Sequence, residues 1–133
     1  MFLALMSLIG CEFPGTSCTL MFVPSTLTID ATRETWEGEV VVDIEDIDGE
    51  LMVCTLLAEE VKAMCDDNGS SISIAGDTLT LSMWNHTPDW VRVDFSVDGT
   101  EPESVELLPD YDEYEPNGSG CGVSRTATVT VAL

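Results

Sequence analysis

Apolar residues fall on every second position through much of this chain. Nothing else restricts its fold as strongly, because successive side chains of a β-strand point to opposite faces. In 78–84, Leu79, Leu81 and Met83 share one parity while Thr78, Thr80 and Ser82 take the other. In 90–98, Val91, Val93, Phe95 and Val97 alternate with Arg92, Asp94, Ser96 and Asp98. Ala127, Val129, Val131 and Leu133 alternate with Thr126, Thr128 and Thr130, and Val40, Val42 and Ile44 mark 38–45. Further strands are expected at 19–30, interrupted by Pro24, and at 50–57, 71–75 and 103–108. Asp48-Gly49, Asn68-Gly69, Gly76-Asp77, Asp98-Gly99 and Asn117-Gly118 supply the turns. About seven or eight short strands with polar outer faces predict an all-β, two-layer β-sandwich. Only 58–65 has helix-forming composition, enough for about two turns. The longest stretch without a pattern is 109–122.

With 133 residues, the chain has material for one domain with a modest core. A hydrophobic content of 44% is too high for a disordered chain. The charge is lopsided: 25 acidic residues stand against 4 basic ones, a net of −21. The cations are Arg33, Lys62, Arg92 and Arg125. A surface this negative repels phosphate backbones and anionic headgroups, which argues against nucleic acid as a partner. It suits a cationic partner, a divalent cation or a salty solvent.

The first residues read as an address. Phe2 to Ile9 are apolar apart from Ser7. Eight residues span roughly 12 Å as helix, far short of the ~30 Å of a bilayer core, and suit the apolar part of a signal peptide. The run ends in Leu8-Ile9-Gly10-Cys11, which resembles the bacterial lipobox. That resemblance implies a signal peptide over 1–10, lipidation of Cys11 and a tether over 11–17, with the sandwich occupying 18–133. Two acyl chains give stable membrane anchoring where one gives marginal binding. No Lys or Arg precedes the apolar run, so a positive start would have to lie upstream. Otherwise the segment is a different cleaved signal or an apolar strand.

Setting Cys11 aside leaves Cys18, Cys54, Cys65 and Cys121, an even set that in an exported chain suggests disulfides in one of three connectivities. Cys18 precedes the first expected strand and Cys121 the last. If those strands lie parallel as neighbours, Cys18–Cys121 is reasonable and leaves Cys54–Cys65. Closing a loop of about 100 residues contributes roughly 4–5 kcal/mol. A zinc site is disfavoured by the lack of any CxxC pair and the single His86.

The run Pro116-Asn117-Gly118-Ser119-Gly120-Cys121-Gly122 before a Thr/Val strand, with the lipobox, an early cysteine and a mid-chain cysteine pair, resembles small uncharacterised bacterial lipoproteins. The resemblance covers most of 11–133 and implies an immunoglobulin-like or transthyretin-like sandwich, located at the cell envelope, with no activity attached. Those proteins often carry a second late cysteine where this chain has Ser124, which leaves the Cys18–Cys121 pairing open.

Candidate sites are few. Trp84 and Trp90 bracket the loop Asn85-His86-Thr87-Pro88-Asp89 on the polar parity of their strands. A hairpin would set them opposite each other, as a platform for a glycan or partner protein or simply as a stabilising pair. Tyr111 and Tyr114, in the 109–122 segment, could cover them. Asp43, Glu45, Asp46, Asp48 and Glu50 crowd a turn at Gly49, and clustered carboxylates are what calcium requires. The EF-hand spacing fails, since Ile44 falls at its first ligand position and Thr55 where the bidentate Glu belongs. Asp46, Asp48 and Glu50 are therefore weak metal candidates, as are Asp110, Asp112, Glu113 and Glu115. No cofactor and no enzymatic activity are expected, because there is no GxSxG and His86 has no partner nucleophile in evidence. Asn68-Gly-Ser, Asn85-His-Thr and Asn117-Gly-Ser match the N-glycosylation acceptor but read as turns in a bacterial chain. The expectation is a lipid-anchored binding or structural module at the envelope, with calcium binding or carbohydrate binding as alternatives.

Overall fold

The computed structural model describes residues 24–133 apart from Asn117 and Ser119. The described part is all-β, built from ten strands and no helix. In chain order these are β1 (Thr26–Thr32), β2 (Glu39–Asp46), β3 (Gly49–Leu57), β4 (Lys62–Met64), β5 (Ser71–Ala75), β6 (Thr78–Trp84), β7 (Val91–Val97), β8 (Glu103–Leu107), β9 (Asp112–Tyr114) and β10 (Ser124–Ala132). They form a six-stranded sheet, β4-β5-β6-β1-β10-β9, and a four-stranded sheet, β3-β2-β7-β8. This is the two-layer sandwich that the alternation predicts. Among the described strands the only parallel pair is β1 with β10, in register from Thr26↔Thr126 to Thr32↔Ala132. The parallel neighbours posed as a condition for Cys18–Cys121 thus exist. Cys121 is disulfide-bonded, while Cys18 lies outside the described residues.

The alternation translates directly into the core. Leu27, Ile29, Leu79, Leu81 and Met83 from one sheet meet Val40, Val42, Ile44, Val93 and Phe95 from the other, all essentially without solvent contact. Trp36, on the β1–β2 crossing between sheets, packs its ring 6.4 Å from that of Phe95 and donates from Nε1 to the Asp77 carbonyl at 2.9 Å. The Arg33 guanidinium lies over the Trp36 ring, 5.3 Å from its centroid. A buried indole thus keeps its polar atom satisfied while closing the end of the core.

The outward faces of the two sheets differ in chemistry. On the six-stranded sheet, registered rows run Ser71–Ser82–Thr28–Thr128 and Ser73–Thr80–Asp30–Thr130, so hydroxyls repeat across strands. On the four-stranded sheet, Glu45–Arg92–Glu106 and Asp43–Asp94–Ser104 form the corresponding rows. Asp43 faces Asp94 directly. Burial, then Asp94 and Glu45, push the Asp43 carboxyl upward against the pull of Arg92.

Residues 58–65 are not helical. A turn over 58–61 leads into β4, whose backbone is held by Ile74 N–H donating to Val61 O and Cys65 N–H donating to Ser70 O. Sheet pairing has overridden local propensity, as tertiary contacts often do for short segments. The segment 109–122 likewise contains β9, recruited opposite Ser124–Thr126 although Asp-Glu-Tyr shows no alternation.

Cys54, on edge strand β3, and Cys65, just after edge strand β4, form a disulfide with Cα atoms 4.2 Å apart. They are also a cross-strand bridge, flanked by Asp66 N–H donating to Val53 O and Val53 N–H to the Asp66 carboxylate. The two sheets are therefore sewn along one side. Replacing both cysteines by alanine should lower unfolding free energy by about 3 kcal/mol, for a sequence separation of 11. Denaturant titration of the double variant measures this, and a change under ~1 kcal/mol would show that the seam adds little.

Candidate functional site

The connection from β6 to β7 crosses from one sheet to the other, so the expected hairpin between Trp84 and Trp90 does not form. Trp84 ends β6 on the outer face of the six-stranded sheet, opposite Thr26, with its indole against Gly69. Trp90 precedes β7 at the end of the sandwich, where Nε1 donates to Glu106 Oε1 at 3.3 Å. Two residues of equal parity have become parts of different surfaces. The sequence carries no signal for this, because a five-residue loop serves a hairpin or a crossing equally well.

Trp90 instead faces the β2–β3 turn. Asp46, Ile47 and Asp48 on that turn and Thr87, Pro88, Asp89 and Trp90 on the crossing loop line an open cleft of about 400 Å³. Ile47, at 82% exposure, is a large apolar side chain left in solvent at its rim. The turn is preorganised: Asp46 Oδ1 accepts the Asp48 N–H at 2.8 Å, closing a local Asx turn. Asp46 and Asp48 thus serve a wall of a cleft. Glu50, the third weak metal candidate, is fully exposed at the start of β3, and Asp43 pushes its carboxyl upward. Among the described residues no group of three or more His, Cys, Asp or Glu side chains is arranged to hold a metal ion.

The opposite wall is braced from behind. Tyr111 donates its hydroxyl to the Pro88 carbonyl at 2.8 Å. Burial pushes its phenol up to about 12, with Arg125 opposing. Arg125, on β10, lies 4.3 Å from the Tyr111 ring centroid, and its guanidinium donates to Thr87 O at 3.4 Å. Arg125 also pairs with Asp89 at 3.3 Å and with Glu113 of β9 at 3.2 Å. One of the chain's few cations thus gathers the crossing loop, β9 and β10. Tyr111 belongs to the support of the cleft, whereas Tyr114, 44% exposed on β9, does not reach it.

A second polar cluster holds the 66–70 turn. Asp67 accepts hydrogen bonds from Gly69 N–H, Ser70 N–H and Ser70 Oγ at 3.1, 2.9 and 2.7 Å, and His86 Nε2 lies 3.3 Å from its Oδ2. The Ser70 hydroxyl, fully buried, also accepts the Trp84 N–H at 3.0 Å. Desolvation works against the Asp67 carboxylate, but these donors and His86 hold it below the usual carboxylate range. His86 is thus an orienting neighbour of a turn carboxylate. Asn68 and Asn85 sit at φ of 60° and 58° in the same region, consistent with turn roles, and Asn117 lies outside the described residues. A carboxylate depressed in the folded state stabilises above its unfolded value and loses that contribution as pH falls through the folded one. Asp67→Ala should therefore cost about 1–3 kcal/mol at pH 7 and progressively less in acid, followed by thermal unfolding from pH 7 to 2.

Cys11, the expected lipidation site, and the 1–10 and 11–17 segments lie outside the described residues. No described helix is long and apolar enough to cross a membrane. No family model matches the chain, and neither a curated protein nor a solved structure matches it.

Proposed function

We propose that this chain is an exported, lipid-anchored binding module without catalytic activity, and that the cleft between the β2–β3 turn and the crossing loop is its recognition site. The observation that carries the reading is the cleft itself: an exposed Ile47 beside Pro88 and Trp90, rimmed by Asp46, Asp48 and Asp89, on walls fixed by Tyr111 and Arg125. Apolar side chains set beside carboxylates suit a partner segment that presents a basic side chain beside an apolar one. A disulfide in the core supports an oxidising compartment. The Leu8-Ile9-Gly10-Cys11 run supports anchoring through Cys11, and the immunoglobulin-like or transthyretin-like type follows from the resemblance to small lipoproteins.

Two measurements test this. A photo-crosslinking residue at Ile47 should give a defined adduct in envelope preparations, lost on Asp48→Lys and absent with the crosslinker at Glu59; equal labelling at both sites would sink the cleft. Mass spectrometry of the mature chain should show diacyl mass on Cys11 that disappears in Cys11→Ala, and an unmodified wild type would overturn the anchor while leaving the cleft standing.

A further inference from the structure

The six-stranded sheet presents an outer face unlike the rest of this acidic molecule. Across β5, β6, β1 and β10 its two registered rows, set out above, carry serine and threonine at seven of eight positions, with Asp30 the one carboxylate among them. On the flanking strands Met64 and Lys62 of β4 continue the rows and Asp112 of β9 lies opposite Thr126, so the face carries one cation against two carboxylates. Thr80 Oγ1 donates to Asp30 Oδ1 at 2.8 Å, which leaves that carboxylate further acceptor capacity. Strand spacing places neighbouring hydroxyls about 4.8 Å apart across the rows, with successive rows about 6.8 Å apart along the strands. Thr128 and Thr130 stand exposed on β10. Trp84 and Tyr114, at 43% and 44% exposure, share the outward parity at one end of this face, on β6 and β9. Three strand spacings separate those two strands, roughly 14 Å.

We infer that this face is a platform for a neutral polysaccharide, lying across the hydroxyl rows with a sugar ring against Trp84 or Tyr114. Charge selects the occupant. A net of −21 repels polyanions, anionic lipid and a second copy alike, whereas a neutral polyol carries no such penalty. The chemistry matches as well. Serine and threonine hydroxyls both donate and accept, Asp30 accepts, and aromatic faces stack on the apolar face of a sugar ring. A flat face takes a length of polymer, where a closed pocket would take a chain end. From Thr26 to Thr32 the face is roughly 20 Å long, room for several rings. This site is separate from the cleft and does not depend on it.

Affinity electrophoresis of the full chain in native gels tests the inference, since the net charge drives migration and bound polymer retards it. The gels would hold a soluble β-glucan, a xylan or a galactomannan, with alginate as the anionic polymer. Retardation by at least one neutral polymer and not by alginate is expected. Thr128→Glu, at an exposed position, and Tyr114→Ala should each weaken it about tenfold with an unchanged thermal midpoint; Ile47→Asp should leave it unaltered. No retardation by any neutral polymer, equal retardation by alginate, or indifference to Thr128→Glu would overturn the platform. So would concentration-dependent self-association abolished by Thr128→Glu, which would assign the face to a second copy.

Discussion

The pairing of β1 with β10 holds the larger sheet together. β1 lies between β6 and β10, and β10 in turn carries β9, so without this parallel contact the six-stranded sheet falls into separate pieces. The register joins residues separated by about 100 positions, from Thr26↔Thr126 onward. Such a contact must overcome a large loop-closure entropy before it gains anything, which places the fold among slow, non-local topologies. Side chains fasten the meeting point: Ser124 Oγ donates to Pro24 O at 3.2 Å, and Arg125 N–H donates to Ser25 Oγ at 3.0 Å. The Arg125 guanidinium then reaches on to the cleft wall. The same strand that completes the sheet therefore also supports the candidate site.

Charge is distributed unevenly around this frame. The outer face of the four-stranded sheet carries Asp43, Glu45, Asp94 and Glu106 around Arg92, which pairs with Glu45 at 2.8 Å. One guanidinium cannot compensate four carboxylates, and burial, with Asp94 and Glu45, pushes the Asp43 carboxyl above its ordinary value. On the other sheet, hydroxyls replace most of the charge. The molecule thus has an acidic side that keeps copies apart and a nearly neutral side that can approach a surface.

Much of the fold was legible in the alternation. Leu79, Leu81 and Met83, or Val91, Val93 and Phe95, announce both their strands and their buried faces, because burial of one face imposes a period of two. What escaped were elements made by their neighbours. β4 and β9 are three residues each, and backbone pairing with β5 and β10 holds them in place where local pattern does not. The candidate site was legible only in its parts. Trp90, Asp46 and Asp48 stood out individually, but their meeting depends on which loops cross between sheets, and Ile47 gave no signal at all. The Trp84–Trp90 pair failed for the same topological reason, and Tyr111 found its place through a hydrogen bond to a backbone carbonyl that no side-chain pattern encodes.

The seam at Cys54–Cys65 also bears on which borders of the described sandwich stay open. A sheet edge is a row of unpaired N–H and C=O groups, a template for adding foreign strands. The longest edge strand among those described, the nine-residue β3, is the one closed by the disulfide and its flanking hydrogen bonds with Asp66. The remaining borders, β8 and β9, offer five and three residues rich in acidic side chains. The covalent bond therefore closes the longest border among the described strands as well as fixing shape, since an open strand of that length is the kind that seeds sheet growth between molecules.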